Sequence, residues 1–320
     1  MEKNRIRESN ELKRRFVKDN NLPITVFDNP YFFQRLDIID EFYDCKKKWE
    51  LFCEEVSIFN SAEEYFAYYN GVKDATIEYL QNNEAFVKFS NDTFFTNIVN
   101  PYPKRNLYIE DNDCKSFISI DMNKANFTAM KRYDATIFDD ADSWEEFMFK
   151  FTNLKHITQS KYIRQVILGA CNPKKQIQLE QYWMLQLLNF IKNQVPGIEV
   201  FSLAVDEIIL YHPCDGNNDE DGKRKLEAIR SALNRHVLGK MVKMEEFVLE
   251  RAAIYGYTKS DVNDLDKVTF KCFDAETFHQ HVKMYRGKEV VDDDLVFYHN
   301  GVLARFLEPI PNYWNPIASS

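Results

Sequence analysis

The chain has 320 residues, 45% of them hydrophobic, and carries 41 Lys and Arg against 50 Asp and Glu, a formal net charge of −9. That composition supports a sizeable core in one large domain or two ordinary ones; no apolar run is long enough to cross a bilayer, and the charged opening MEKNRIRESNELKRRF lacks a signal peptide's apolar stretch, so a cytoplasmic location is expected. Only 9 Gly stand against 26 Phe and 17 Tyr, no P-loop or dinucleotide fingerprint is present, and Cys45, Cys53, Cys114, Cys171, Cys214 and Cys272 are scattered without a CxxC pair, which argues against glycine-rich phosphate loops and against zinc or redox motifs.

In chain order, residues 1–105 predict a helical subdomain. Apolar and aromatic residues recur at three- and four-residue spacing in YFFQRLDIIDEFYDCKKKWELFCEEV and again in SAEEYFAYYNGVKDATIEYLQNN. The two prolines of NPYPKRN mark the expected boundary. In residues 106–258, NLYIE and SFISID predict short strands. SWEEFMFKFTNL predicts a helix capped by Ser143, and SKYIRQVILGA one capped by Ser160. A long helix follows Asn172-Pro173 and stops before Pro196-Gly197. VFSLAVDEIILYH, apolar on both sides of an Asp-Glu pair, predicts a β-hairpin; KRKLEAIRSALNRHVL predicts a helix and MEEFVLERAAIYGY a strand. The order strand, helix, hairpin, helix, strand is that of an α+β fold, the ferredoxin-like split βαβ unit. Residues 259–320, with KVTFKCF, AETFHQHVKMYRG and LVFYHNGVLARF, predict a small C-terminal α+β module whose last hairpin turns at His299-Asn300-Gly301.

Charge is unevenly spread. From Lys150 to Val195 seven Lys and Arg accompany a single acid, Glu180, while acids gather in DDADSWEE, DGNNDEDG and VDDDL. Such a basic island can attract phosphates although the whole chain is acidic, because the local field steers a polyanion. DGNNDEDG is a solvated loop and not an EF-hand, since Glu220 stands where that loop needs glycine. His279 and His281, two apart on a helix, cannot face one ligand and are expected to be satisfied surface residues. No Ser/His/Asp or Cys/His set has a local signature.

The acids that end apolar strands carry the functional expectation. Alternation places Phe117, Ser119 and Asp121 on one face of their strand, and Ser202, Ala204 and Asp206 on one face of theirs, opposite Phe201, Leu203 and Val205. In a ferredoxin-like sheet the first strand lies beside the hairpin, bringing Asp121 and Asp206 together. Carboxylates that close repel unless a proton or cation intervenes, and Mg²⁺ is the natural hard partner. On the helix that follows, Lys161, Arg164 and Gln165 share a face, so both cations reach one polyphosphate.

These segments resemble the palm domain of right-hand nucleic-acid polymerases over residues 106–255: SIDMNKANF is similar to motif A, SKYIRQVILGACNPKKQ to motif B and SLAVDEIIL to motif C, in that order. The resemblance implies a two-metal nucleotidyltransferase using Mg²⁺ or Mn²⁺, with a primer and template and nucleoside triphosphates as partners and no membrane. It implies Asp121 and Asp206 as catalytic metal ligands, Glu207 as a secondary acid, and Lys161 and Arg164 as triphosphate contacts. Asn126 stands where palm polymerases often carry an aromatic that excludes the 2′-hydroxyl, with Phe127 next, and both are placed at the nucleotide; Lys174 and Lys175 are placed on the nucleic acid. Fingers and thumb carry no signature.

Plainer roles stand beside these. Asp121 would cap the KANFTAMKRY helix, Asp206-Glu207 would be an ordinary hairpin turn, Lys161 and Arg164 a solvated helix face, and Lys174 and Lys175 surface charges. The stripe of Trp183, Leu187, Phe190 and Ile191 is core. The competing functions are a metal-dependent nuclease and a non-catalytic nucleic-acid-binding protein.

Overall fold

The computed structural model describes residues 1–214, 220–312 and 314. Six helices open it: α1 Lys3–Glu8, α2 Asn10–Asp19, α3 Tyr31–Tyr43, α4 Cys45–Val56, α5 Ala62–Asn82 and α6 Glu84–Asn91. Local chemistry sets their ends. The Ser9 and Ser61 hydroxyls accept from the first turns of α2 and α5, and Glu63 and Glu64 sit at the positive end of α5. The face that α5 buries, Tyr65, Tyr69, Val72, Thr76 and Leu80, follows the helical repeat. Rings of Phe16, Trp49, Phe52 and Tyr65 interlock at centroid distances of 4.9–6.0 Å. These helices have no core of their own, because their buried side chains form one continuous cluster with Ile118, Ile120, Leu187 and Ile208.

Next come β1 Ser116–Met122, α7 Ala125–Tyr133, α8 Trp144–Met148, α9 Lys155–Thr158, α10 Lys161–Gly169 and α11 Pro173–Gln194. Ser143 and Ser160 cap α8 and α10 as expected. The hairpin is β2 Val200–Leu203 and β3 Glu207–Tyr211, followed by α12 Glu220–Arg235, a 3-10 turn at Val237–Met241 and β4 Val242–Arg251. Then follow β5 Tyr257–Asp261, β6 Asp264–Lys271, α13 Phe278–Tyr285, β7 Val296–His299 and β8 Val302–Arg305.

The fold is therefore mixed α+β. Its main sheet has six strands in the order β2-β3-β1-β4-β5-β6, with every neighbouring pair antiparallel. β1 is interior, flanked by β3 and β4. Ile118, Ile120, Leu203, Ile208 and Leu210 join the main core with Met130, Leu188 and Ile229 from α7, α11 and α12. The opposite face carries a small second cluster of Leu107, Phe117, Phe201, Ile209, Phe247, Leu249 and Tyr257.

Several expectations need correction. NLYIE is not a strand: the Asn106 side chain accepts from the Tyr108 N–H and the Asn112 amide donates to the Leu107 carbonyl, local bonds that hold the segment in turns. Phe201 and Leu203 do not share a face, because an irregularity between Val200 and Ser202 shifts the register, sending Phe201 to the Phe117 side and Leu203 to the main core. The boundary expected after residue 258 falls inside β5, and β6 (the KVTFKCF segment) extends the main sheet. β7 and β8 do form a separate pair, turning through Asn300 and Gly301, both at positive φ.

His279 and His281 are buried, not surface residues. Burial pushes their pKa values down to about 3 and about 4, so His279 is neutral and donates to the Asp294 carbonyl at 2.7 Å. Asp294 also pairs with Arg35 of α3 and with Lys283. In DGNNDEDG, residues 215–219 lie outside the described residues, and Glu220, Asp221 and Gly222 open α12.

One glycine governs how the 3-10 turn meets α12. A Cβ on Gly239 would lie 1.7 Å from the Leu233 carbonyl oxygen, and backbone cannot yield as a side chain can. Gly239→Ala is expected to lower unfolding free energy by about 2 kcal/mol, measured by urea denaturation; an unchanged midpoint would show that the turn shifts freely.

Candidate active site at the end of the central strands

The site is assembled by backbone pairing before any side chain acts. Asp121 stands opposite Glu207 on β3 and Lys243 on β4. One residue on, the Met122 N–H donates to the Asp206 carbonyl at 2.9 Å, and the Asn123 N–H to the Met241 carbonyl at 2.9 Å. The hairpin turn is thereby backed onto the end of β1, which brings Asp121 and Asp206 to one corner of the sheet. The chain then turns through Lys124 at φ 48° into α7, whose first turn has no side-chain cap, so the capping role considered for Asp121 is not used. Asp206 and Glu207 are not both in the turn: Asp206 lies in it and Glu207 opens β3.

The electrostatics follow from that crowding. Asp121 is exposed at the end of β1, yet partial desolvation of its carboxyl in this corner, then the charges of Glu207, Asp206 and Glu245, push it up to about 6, with Lys259 acting the other way. Asp206 is raised too, by burial and by Glu207, while its own backbone amide and the Lys161 charge oppose the shift. Glu207 is tied down: it accepts from the Ser119 hydroxyl at 2.6 Å and lies 3.8 Å from the Lys259 ammonium. Lys259, buried on β5, rests 4.2 Å from the Phe247 ring centroid, and burial lowers its pKa. It serves as a built-in countercharge among three acids.

The expected phosphate contacts do not come together. Lys161 is exposed at the start of α10, but Arg164 is buried, with 7% of its surface exposed and its Nε lacking a hydrogen-bond partner among the described residues. Burial lowers its pKa, partly offset by the Glu145 charge. The helix buries Arg164 with Ile163, Ile167 and Leu168 while Lys161 and Gln165 stay exposed, so the two cations do not present a joint surface to solvent.

Phe127 is buried against Phe138 and Trp144, a core ring and not a free nucleotide contact; Asn126 is half-buried in the first turn of α7. Lys174 is exposed at the start of α11. Lys175 is anchored instead, donating to the Asp92 carbonyl above the Phe95 ring. The basic island is further reduced by Lys150 pairing with Asp139.

Sequence reasoning missed Glu180 as a participant. It sits on the buried stripe of α11 with Gln176, Leu179, Met184 and Leu187, and burial followed by the charge of Asp206 pushes it up to about 8. An acid at an apolar position of the helical repeat was the available signal. Lys259 had none, because β5 does not alternate; Glu245, on β4, reaches the site only through the pairing of that strand with β1.

Among the described residues no group of three or more His, Cys, Asp or Glu side chains is arranged to hold a metal ion. Two oxygen donors that repel one another nevertheless suit Mg²⁺, which usually keeps several waters and takes one or two carboxylates together with substrate phosphates. No helix among the described residues is long and apolar enough to cross a membrane. Comparisons with family models, with curated proteins and with solved structures return no match.

Proposed function

We propose that the chain is a nucleotidyltransferase of the right-hand polymerase type, adding nucleotides to a primer 3′-hydroxyl. The observation that supports this most is the strand order β2-β3-β1-β4, the order expected of a ferredoxin-like split βαβ unit, with Asp121 on the interior strand and Asp206 in the turn backed onto it. In this reading Asp121 and Asp206 hold Mg²⁺ or Mn²⁺. The bound ion supplies Lewis-acid activation of the hydroxyl and neutralises the leaving phosphates. Ser119 and Lys259 position Glu207 beside that pair and limit its freedom to swing toward substrate. Lys161 adds positive charge next to Asp206. Catalysis is then mainly positioning and charge neutralisation.

A metal-dependent nuclease is the second reading. The burial of Arg164 favours it, because it removes half of the triphosphate clamp that distinguished a transferase from a phosphodiesterase. A primed template offered each nucleoside triphosphate in turn, with Mg²⁺ or with EDTA, separates the two. Extension that needs the metal supports the transferase; release of nucleotides without any triphosphate supports the nuclease; salt-sensitive binding without turnover leaves a binding protein.

A further inference from the structure

We propose that the cavity between α7 and the 3-10 turn ahead of β4 binds a nucleotide through its phosphate groups. Its volume is about 420 Å³, within the range of small-molecule sites. Three cations line it: Lys131 and Arg132 from α7, and Lys240 from the turn. The one acid at the rim, Asp142, lies 3.4 Å from Lys131 with 98% of its side chain in solvent, a pairing that water and salt screen heavily. Among the described residues neither Arg132 nor Lys240 forms an ion pair with a carboxylate. The Arg132 guanidinium is steadied over the Trp183 ring, 5.8 Å from its centroid, which leaves its N–H edge available to a phosphate oxygen.

The rest of the lining favours a nucleotide over a bare anion. Val237 and Met241 give an apolar floor over the buried Phe127 ring, and Val237 is 55% exposed, so a flat base finds surface to cover beside the charged rim. The walls are joined, because the Asn123 N–H of one donates to the Met241 carbonyl of the other. The close approach at Gly239 holds the turn against α12. A concave, pre-formed pocket of this size suits one small ligand and not an extended strand. Recognition here stands on the cavity's own cations and does not require Asp121 or Asp206 to hold a metal.

The test is calorimetric titration of the full chain in EDTA with adenosine triphosphate, inorganic pyrophosphate and adenosine. Saturable binding of the triphosphate is expected, weakened roughly tenfold for each cation lost in Lys131→Gln, Arg132→Gln and Lys240→Gln. Pyrophosphate is expected to bind, and adenosine to bind much more weakly. Lys174→Gln, an exposed cation elsewhere, and the acid variant Asp121→Asn/Asp206→Asn are expected to bind as the parent does. Absence of saturable binding, unchanged affinity in the three pocket variants, or loss of binding in the acid variant alone would each overturn the assignment.

Discussion

Asp206→Asn is expected to cut metal-dependent primer extension by roughly a thousandfold, the several kcal/mol that a bound metal contributes to a transition state, while the chain stays folded. The second half rests on the backbone. The Asp206 carbonyl, not its side chain, accepts from Met122, so the bond that backs the turn onto β1 survives the substitution. Asn also removes a charge that repels Glu207 and raises the proton affinity of Asp121 and Glu180, so the metal-free thermal midpoint should equal or exceed the parent's.

The same crowding sets a pH signature. The Asp121 carboxyl, raised to about 6, is largely protonated at pH 5 in the metal-free protein and must lose that proton to ligate a cation. Metal affinity should therefore rise with pH through about 6, and Asp121→Asn should abolish both the affinity and that dependence. Retained extension by Asp206→Asn, or metal binding flat between pH 5 and pH 7, would remove Asp121 and Asp206 from the chemistry.

The distance between what was legible and what was not follows from range. Helix caps are local, and Ser143 and Ser160 do what their positions predict. β1 and the hairpin were legible because apolar runs ending in acids are strong short-range patterns. β5 escaped because Thr258, Lys259 and Ser260 are all buried, so polar residues fill consecutive positions where alternation was sought. The partners of these buried groups come from elsewhere in the chain; Lys259 finds Glu207 and the Phe247 ring, which no spacing rule relates to it. Arg164 fails for a subtler reason. Spacing of three correctly set it on a face with Lys161, yet which faces of α10 are covered is decided by α2 and α5, more than seventy positions away. The basic island likewise looked continuous only until Asp139 and the Asp92 carbonyl reached Lys150 and Lys175. At the corner of the sheet, convergence of the two aspartates did not come from the alternation expected along β2, which ends at Leu203 after its irregularity; it came from the turn's backbone reaching Met122.

Glu180→Gln is expected to stabilise the chain increasingly as pH rises. A carboxyl whose pKa is raised on folding, here from 4.5 to about 8, holds its proton in the folded state while the unfolded chain releases it. Stability linked to Glu180 is thus present below pH 4.5 and is lost progressively as pH climbs to about 8. With 7% of the residue exposed, solvent screens little of this, and the loss amounts to about 3 kcal/mol by neutral pH. Glutamine keeps the volume and polarity but cannot ionise. Urea unfolding of parent and variant at pH 5, 6, 7 and 8 should give a stability difference that shifts in the variant's favour by about that amount between pH 5 and pH 7; parallel curves would show that Glu180 is not buried beside Asp206. Because burial is the larger cause and Asp206 the smaller, the same comparison in an Asp206→Asn background should reduce the pH dependence without removing it. A cation held by Asp206 would act in the same direction as that substitution, drawing down the proton affinity of Glu180, so Mg²⁺ binding near pH 7 should release protons in the parent and fewer in Glu180→Gln.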